Sequence, residues 1–237
     1  MWLIGFLSNA GGMLVGGIIA WLFKKLHQKV NNIYAVCSGL ILGLISIEIL
    51  PDAIDLGGTV ISFIGLLIGI LTFDYIHKSV HRGEQLKFDM KEKMYDRTGL
   101  IVMLSLSIHN LPMGIILGAS HNEELTETVL LTLFFHSIPE GIILFIPLVW
   151  GSIKIFSWLL ISFFISIPVI IGVLIGSFIG FEYNVILALI VSFTAGNLLM
   201  VIIKELLFVA FKKSSVFSIT LLCLIGFGII CIYLKVV

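Results

Sequence analysis

The sequence predicts an all-α integral membrane protein of about eight transmembrane helices, and three observations carry that reading. Of 237 residues, 59% are apolar and only 12% are charged, against roughly 45–50% and about 25% in soluble domains. Apolar runs of about 20 residues recur along the chain, each long enough to cross roughly 30 Å of hydrocarbon. These runs are also too long and too uniformly apolar for the alternating strands of a membrane barrel.

Taken in order, the runs place spans at residues 2–23, 33–50, 60–76, 98–118, 126–149, 155–178, 185–208 and 215–234. The first lacks a basic leader and reads as an uncleaved helix rather than a signal peptide. Glycines at four-residue spacing mark the second (Gly39, Gly43), the third (Gly65, Gly69) and the sixth (Gly172, Gly176, with Gly180 just beyond). That pattern predicts close helix packing of the small-xxx-small kind. The fourth and fifth spans are the least uniform, each with a His and a Pro near its middle. A polar loop at about 77–97 divides third span from fourth, and residues 1–237 read as a single transmembrane domain. Cys37, Cys223 and Cys231 lie in apolar runs without a C-x-x-C pair, which predicts reduced core thiols rather than a disulfide or zinc framework.

Loop charge sets the predicted orientation. Lys24, Lys25 and Lys29 follow the first span. Lys78, Arg82, Lys87, Lys91, Lys93 and Arg97 follow the third, Lys154 the fifth, and Lys212 and Lys213 the seventh. The loops after the second, fourth and sixth carry no Lys or Arg, and hold Asp55, then Glu123 and Glu124, then Glu182. With basic loops cytoplasmic, both termini face outward in a multi-pass protein of the cell membrane, with Lys235 the one basic residue on the wrong side. Zero formal charge gives no footprint for nucleic acid. No phosphate-binding loop, H-E-x-x-H or nucleotide domain is visible, so no enzyme is expected, and movement follows a gradient or a coupling ion.

The chemistry lies in the fourth and fifth spans. His109-Asn110-Leu111-Pro112-Met113-Gly114 and His136-Ser137-Ile138-Pro139-Glu140-Gly141 are one motif written twice. Helical positions i and i+4 share a face, so His136 and Glu140 point together, as do His109 and Met113. Each His lies about halfway along its span, and consecutive spans run antiparallel, which lets His109, His136 and Glu140 converge near the bilayer midplane. Pro112 and Pro139 free the carbonyls of Ile108 and Phe135, which in lipid need a polar neighbour. An unpaired carboxylate at a helix centre costs roughly 2.5–3.5 kcal/mol on insertion scales, so Glu140 calls for a partner. Imidazole plus carboxylate suits Zn²⁺, Fe²⁺ or Mn²⁺ better than Mg²⁺ or Ca²⁺.

The doubled motif resembles that of the ZIP family of divalent metal transporters, whose fourth and fifth helices carry H-N-x-P-E-G and H-x-x-P-E-G. The resemblance extends to eight spans, outward termini, a His-containing third loop (His77, His81), an LPDA-like end to the second span (Glu48, Pro51, Asp52) and Glu205. It implies inward transport of a divalent cation, zinc first, with iron and manganese as alternatives. The primary site would be His109, His136 and Glu140, with Asn110 or water completing the shell and no prosthetic group. Met113 stands where the family has a Glu. Ser137 and Ile167 stand where some members place acids of a second metal centre, so by resemblance that centre has lost its charge, with Asn110 alone remaining. Met113, Ser137 and Glu205 are weaker candidate ligands. Lys204 precedes Glu205, and an adjacent Lys and Glu at a membrane edge favour snorkelling or pairing with neighbours.

Asp52, Asp55, Glu123 and Glu124, with His121, would form an acidic outer vestibule that concentrates cations, and His77 and His81 would receive the ion at the exit. Two other classes stay open. One is a membrane electron carrier using His109 and His136 as axial haem ligands; the other is a proton-coupled carrier of a non-metal solute in which His136 and Glu140 shuttle protons. A homodimer is also left open.

Overall fold

The computed structural model describes residues 2–25, 29–82, 91–119, 123–150, 155–179, 184–212 and 214–236; side chains are described for all of these except 79–82, 91–97, 123–129, 155–156, 179 and 235–236. Its elements are α1 (Trp2–Lys25), α2 (Val30–Leu44), a π-helical turn (Ile45–Ile49), α3 (Leu50–Arg82), α4 (Lys91–Ala119), α5 (Glu123–Trp150), α6 (Ile155–Ile179), α7 (Asn184–Val201), a second π-helical turn (Ile202–Leu207), α8 (Phe208–Phe211) and α9 (Val216–Val236). Each π turn carries the acidic residue of its helix, Glu48 in the first and Glu205 in the second.

Seven helical runs among the described residues are long and apolar enough to cross a membrane, and one of them, Val30–Lys78, has 49 residues. At about 1.5 Å per residue, that run is far longer than one crossing needs. It breaks at Gly58, whose φ of 80° and ψ of 165° lie outside the helical region and suit a residue without a Cβ. The break makes two crossings, hence eight among the described residues. It also shifts the end of the second span. Asp52 and Asp55, expected beyond that span, lie on the helix before Gly58. Pro51 falls at the start of α3, just past the π turn. Residues 77–82 and 91–97 likewise prolong α3 and α4, so helix occupies much of the segment expected as a loop.

The helices pair in parallel, and the pairing confirms the reversal at Gly58. Residue order rises together along α1 and α5 (Gly12 beside Ser137, Gly17 beside Phe145) and along α4 and α6 (Gly114 beside Val169, Gly118 beside Val173). The same holds for α3 and α7 (Gly57 beside Ala188, Gly69 beside Phe193) and for α2 and α9 (Gly39 beside Cys223, Gly43 beside Ile230). Parallel α1 and α5 require an even number of reversals between them, which the turn at Gly58 supplies. Two bundles result: α1, α4, α5 and α6 pack together, and α2, α3, α7 and α9 form the other.

Glycine sets these approaches, as its spacing predicts. A Cβ on Gly141 would overlap the Met13 backbone of α1, and one on Gly114 would overlap the Val169 carbonyl of α6. The glycines of the doubled motif therefore seat α5 and α4 backbone to backbone on their parallel partners. Lys24, near the C-terminus of α1, donates to the Val149 carbonyl at 2.5 Å, satisfying a group that the last turn of α5 leaves open. Lys24, Lys78, Lys204 and Lys212 thus share one end of the assembly, while Asp52 and Asp55 lie toward the other.

Candidate metal site

Pro112 and Pro139 sit inside unbroken α4 and α5, one turn past His109 and His136. The two imidazoles stack at 5.5 Å between centroids and 15° between planes, each with its Nε2 turned to a common point. His109 Nε2 lies 3.3 Å from His136 Nε2 and 3.1 Å from Glu140 Oε1; His136 Nε2 lies 3.5 Å from that oxygen. A tetrahedral zinc ion with ligands at about 2.0–2.1 Å separates them by about 3.3 Å. All three sides of the triangle fall close to that edge.

The three residues are at most 3% exposed. Among the described residues Glu140 Oε2 and both Nδ1 atoms have no hydrogen-bond partner, and Glu140 Oε1 faces the imidazoles without hydrogen-bond alignment. Buried polar atoms are almost always paired, so this concentration of unpaired ones marks a place built for a ligand. His109, His136 and Glu140 are also the one group of three potential metal-binding side chains found together among the described residues. Nitrogens 3.3 Å apart leave no room for a porphyrin plate between them, which removes the haem reading.

A cavity of about 360 Å³ opens from the triangle. Glu48, Asp52, Asp55, His109, Pro112, Met113, Thr132, His136 and Thr194 line it with apolar neighbours. Glu48 was not among the candidate ligands, yet its Oε2 stands 3.8 Å from His136 Nδ1. The i, i+4, i+7 spacing of Glu48, Asp52 and Asp55 was the sequence signal for it, because such residues share one helix face.

The weaker candidates fall elsewhere. Asn110 donates from Nδ2 to the Ile165 carbonyl at 3.1 Å, a bond between α4 and α6. Ser137 lies 2.6 Å from both Asn9 Oδ1 and the Leu133 carbonyl, and Asn9 donates onward to Ser166 at 2.8 Å. This neutral chain ties α1 to α5 and α6. Asn9 escaped the sequence reading, since no local spacing links it to Ser137. Met113 lines the cavity. Glu205 contacts His77 at 3.0 Å and accepts from Thr98 at 3.1 Å. Lys204 pairs with Asp74, which also holds Lys78 at 2.5 Å. Side chains of His81, His121, Glu123, Glu124, Lys154 and Glu182 lie outside the described residues.

Helical crossings around an acid-lined cavity that ends on two imidazoles, with a buried carboxylate against them, define a membrane carrier for a metal cation. The ZIP zinc transporter model matches residues 72–234, and the chain belongs to that family of divalent metal transporters. Its members are carriers rather than enzymes. The matched segment contains all three residues of the triangle, whereas Glu48, Asp52 and Asp55 precede it. No curated protein matches the chain.

Proposed function

We propose that the protein conducts zinc across the cell membrane into the cytoplasm as one transport unit, with His109, His136 and Glu140 holding one ion in passage. The observation that carries this reading is the triangle of ligand atoms at tetrahedral spacing, open to a carboxylate-lined cavity. Basic residues at the Lys24 end make that end cytoplasmic, so the cavity faces outward. Its carboxylates raise the local cation concentration, and its apolar walls focus the field.

Two neutral imidazoles and one carboxylate leave Zn²⁺ with a net charge near +1 in the site. That balance favours release, because conduction needs binding weak enough to let go. Water completes the shell, and the Asn110 carbonyl oxygen is the nearest protein alternative, its amide nitrogen being held by Ile165. Iron and manganese suit the same donor set and are the competing substrates. Toward the cytoplasm, His77 and Glu205 stand next on the route, with His81, near the C-terminal end of α3, following in sequence.

Uptake of labelled zinc, iron and manganese in competition, in proteoliposomes, tests the reading. Zinc should enter and the others should inhibit less strongly. Metal analysis at low free zinc should give about one equivalent per chain. Two equivalents, both lost in His136→Ala, would overturn the single-ion site; proton movement without metal uptake would favour the proton-coupled carrier.

A further inference from the structure

We infer a second cation position at the floor of the outward cavity, formed by Glu48, Asp52 and the Nδ1 face of His136, which receives the ion before the triangle does. This rests on the transport reading above, and adds to it a stopping place whose two carboxylates, Glu48 and Asp52, precede the family-matched segment.

His136 is 3% exposed, and its two nitrogens look in different directions. Nε2 belongs to the triangle. Nδ1 has no hydrogen-bond partner among the described residues and faces Glu48 Oε2 at 3.8 Å. That separation is too long for a hydrogen bond and suits two ligands flanking one ion. Glu48 Oε2 is itself buried without a hydrogen-bond partner among the described residues. Asp52, one helical turn on, lines with Glu48 and His136 both the main cavity and an adjoining one of about 270 Å³. Two carboxylates and an imidazole nitrogen therefore border one space, and the donor set is that of a divalent transition metal.

The position joins the two bundles. Glu48 and Asp52 come from the α2–α3 segment and His136 from α5. A neutral imidazole has one bare nitrogen, so the two places are filled in turn. With the ion on Nδ1, the Nε2 proton faces Glu140. With the ion on Nε2, the Nδ1 proton faces Glu48. Handing the ion across the ring requires the Nε2 proton to leave and a proton to return to Nδ1, both exchanged with cavity water, and the ion gives up two carboxylates for one. The outer place is wetter and more negative, the inner drier and closer to neutral.

The competing role for Glu48 is to orient His136 by accepting from Nδ1, as outer partners of metal-bound histidines do. Zinc binding to the full-length chain in detergent separates the two. In His109→Ala/Glu140→Gln the triangle is gone, and one weaker equivalent should remain, at least tenfold below the parent in affinity. Adding Glu48→Gln should remove it. An orienting role predicts no specific zinc in the first variant, or residual zinc indifferent to Glu48→Gln; either result overturns the inference. Should the double variant fail to fold, Asp52→Asn in the intact chain gives a second reading. Half-saturating zinc for uptake should rise about tenfold, and the rise should persist near 1 M salt, where the screening length is only about 3 Å. A rise that vanishes in salt, or none, would leave Asp52 a distant charge and overturn the site. Loss of the tight equivalent in the parent itself would refute the transport reading instead.

Discussion

Glu140 and Glu205 are both buried carboxylates facing an imidazole, and their surroundings give them different work. Glu140 is 1% exposed and meets two histidines at 3.1 and 3.5 Å, which line a cavity shared with Glu48, Asp52 and Asp55. Glu205 is 6% exposed and holds Thr98 and His77, beside a chain of ion pairs from Lys204 through Asp74 to Lys78. A buried charge needs compensation from somewhere. At Glu205 the protein supplies donors and neighbouring cations. At Glu140 it supplies two imidazoles and, beside them, a cavity, and on the transport reading a mobile cation completes the compensation. What its neighbours withhold is what makes Glu140 the candidate ligand of the two.

The largest test of that contrast is substitution. Glu140→Gln should weaken zinc binding by roughly a hundredfold or more, since even outer partners of metal ligands are worth about 10–100-fold, and should abolish uptake. Glu205→Gln should cost uptake less than about tenfold and leave the affinity of the midplane site unchanged. Equal effects on zinc affinity would erase the distinction.

Protons give the next largest effect. Zinc needs bare imidazole nitrogens and an ionised carboxylate, so binding releases protons and weakens as pH falls. Titration in weakly buffered detergent solution should show proton release with zinc in the parent and in Glu205→Gln, and much less in His109→Ala.

Packing divides the two regions further. Gly141→Ala forces a Cβ into the Met13 backbone; such overpacking costs about 1–3 kcal/mol, and here it displaces the helix bearing His136 and Glu140. Gly69→Ala meets the Phe193 backbone in the other bundle at similar cost. Both should lower the unfolding temperature, but only Gly141→Ala should reduce zinc affinity, by about tenfold for a site so dependent on geometry. Comparable loss of zinc affinity in Gly69→Ala would show the bundles to be coupled at the site.

The smallest expected effect concerns Met113. Met113→Glu adds a carboxylate at the cavity wall and should tighten zinc several-fold while slowing release. In the parent the thioether should favour Cd²⁺ modestly, a preference that Met113→Leu removes. If titration with both ions shows Glu, Leu and Met alike, Met113 is a packing residue.

Several parts of this architecture were readable from residue order. Uniform apolar runs give the helices because the bilayer demands internally satisfied backbone. The i, i+4 spacing of His136 and Glu140 places them on one face, and the duplicate at His109 sets a matching depth. Helix ends were less legible: Pro51, Asp52 and Asp55 look like a loop, yet the helix carries them as far as Gly58, with Asp52 and Asp55 lining a cavity rather than facing lipid.

By itself the sequence determined local things: the apolar crossings, the glycine stripes that let them touch, and the His and Glu types that come together as one group. The tertiary structure decided which distant groups meet. It brought Glu48 to His136 Nδ1, tied Ser137 to Asn9 and Asn110 to Ile165, and satisfied Glu205 with Thr98 and His77. Periodicity fixes the face a side chain occupies on its own helix. What lies opposite depends on which helices pair in parallel, and that follows from how closely their glycines let the backbones approach.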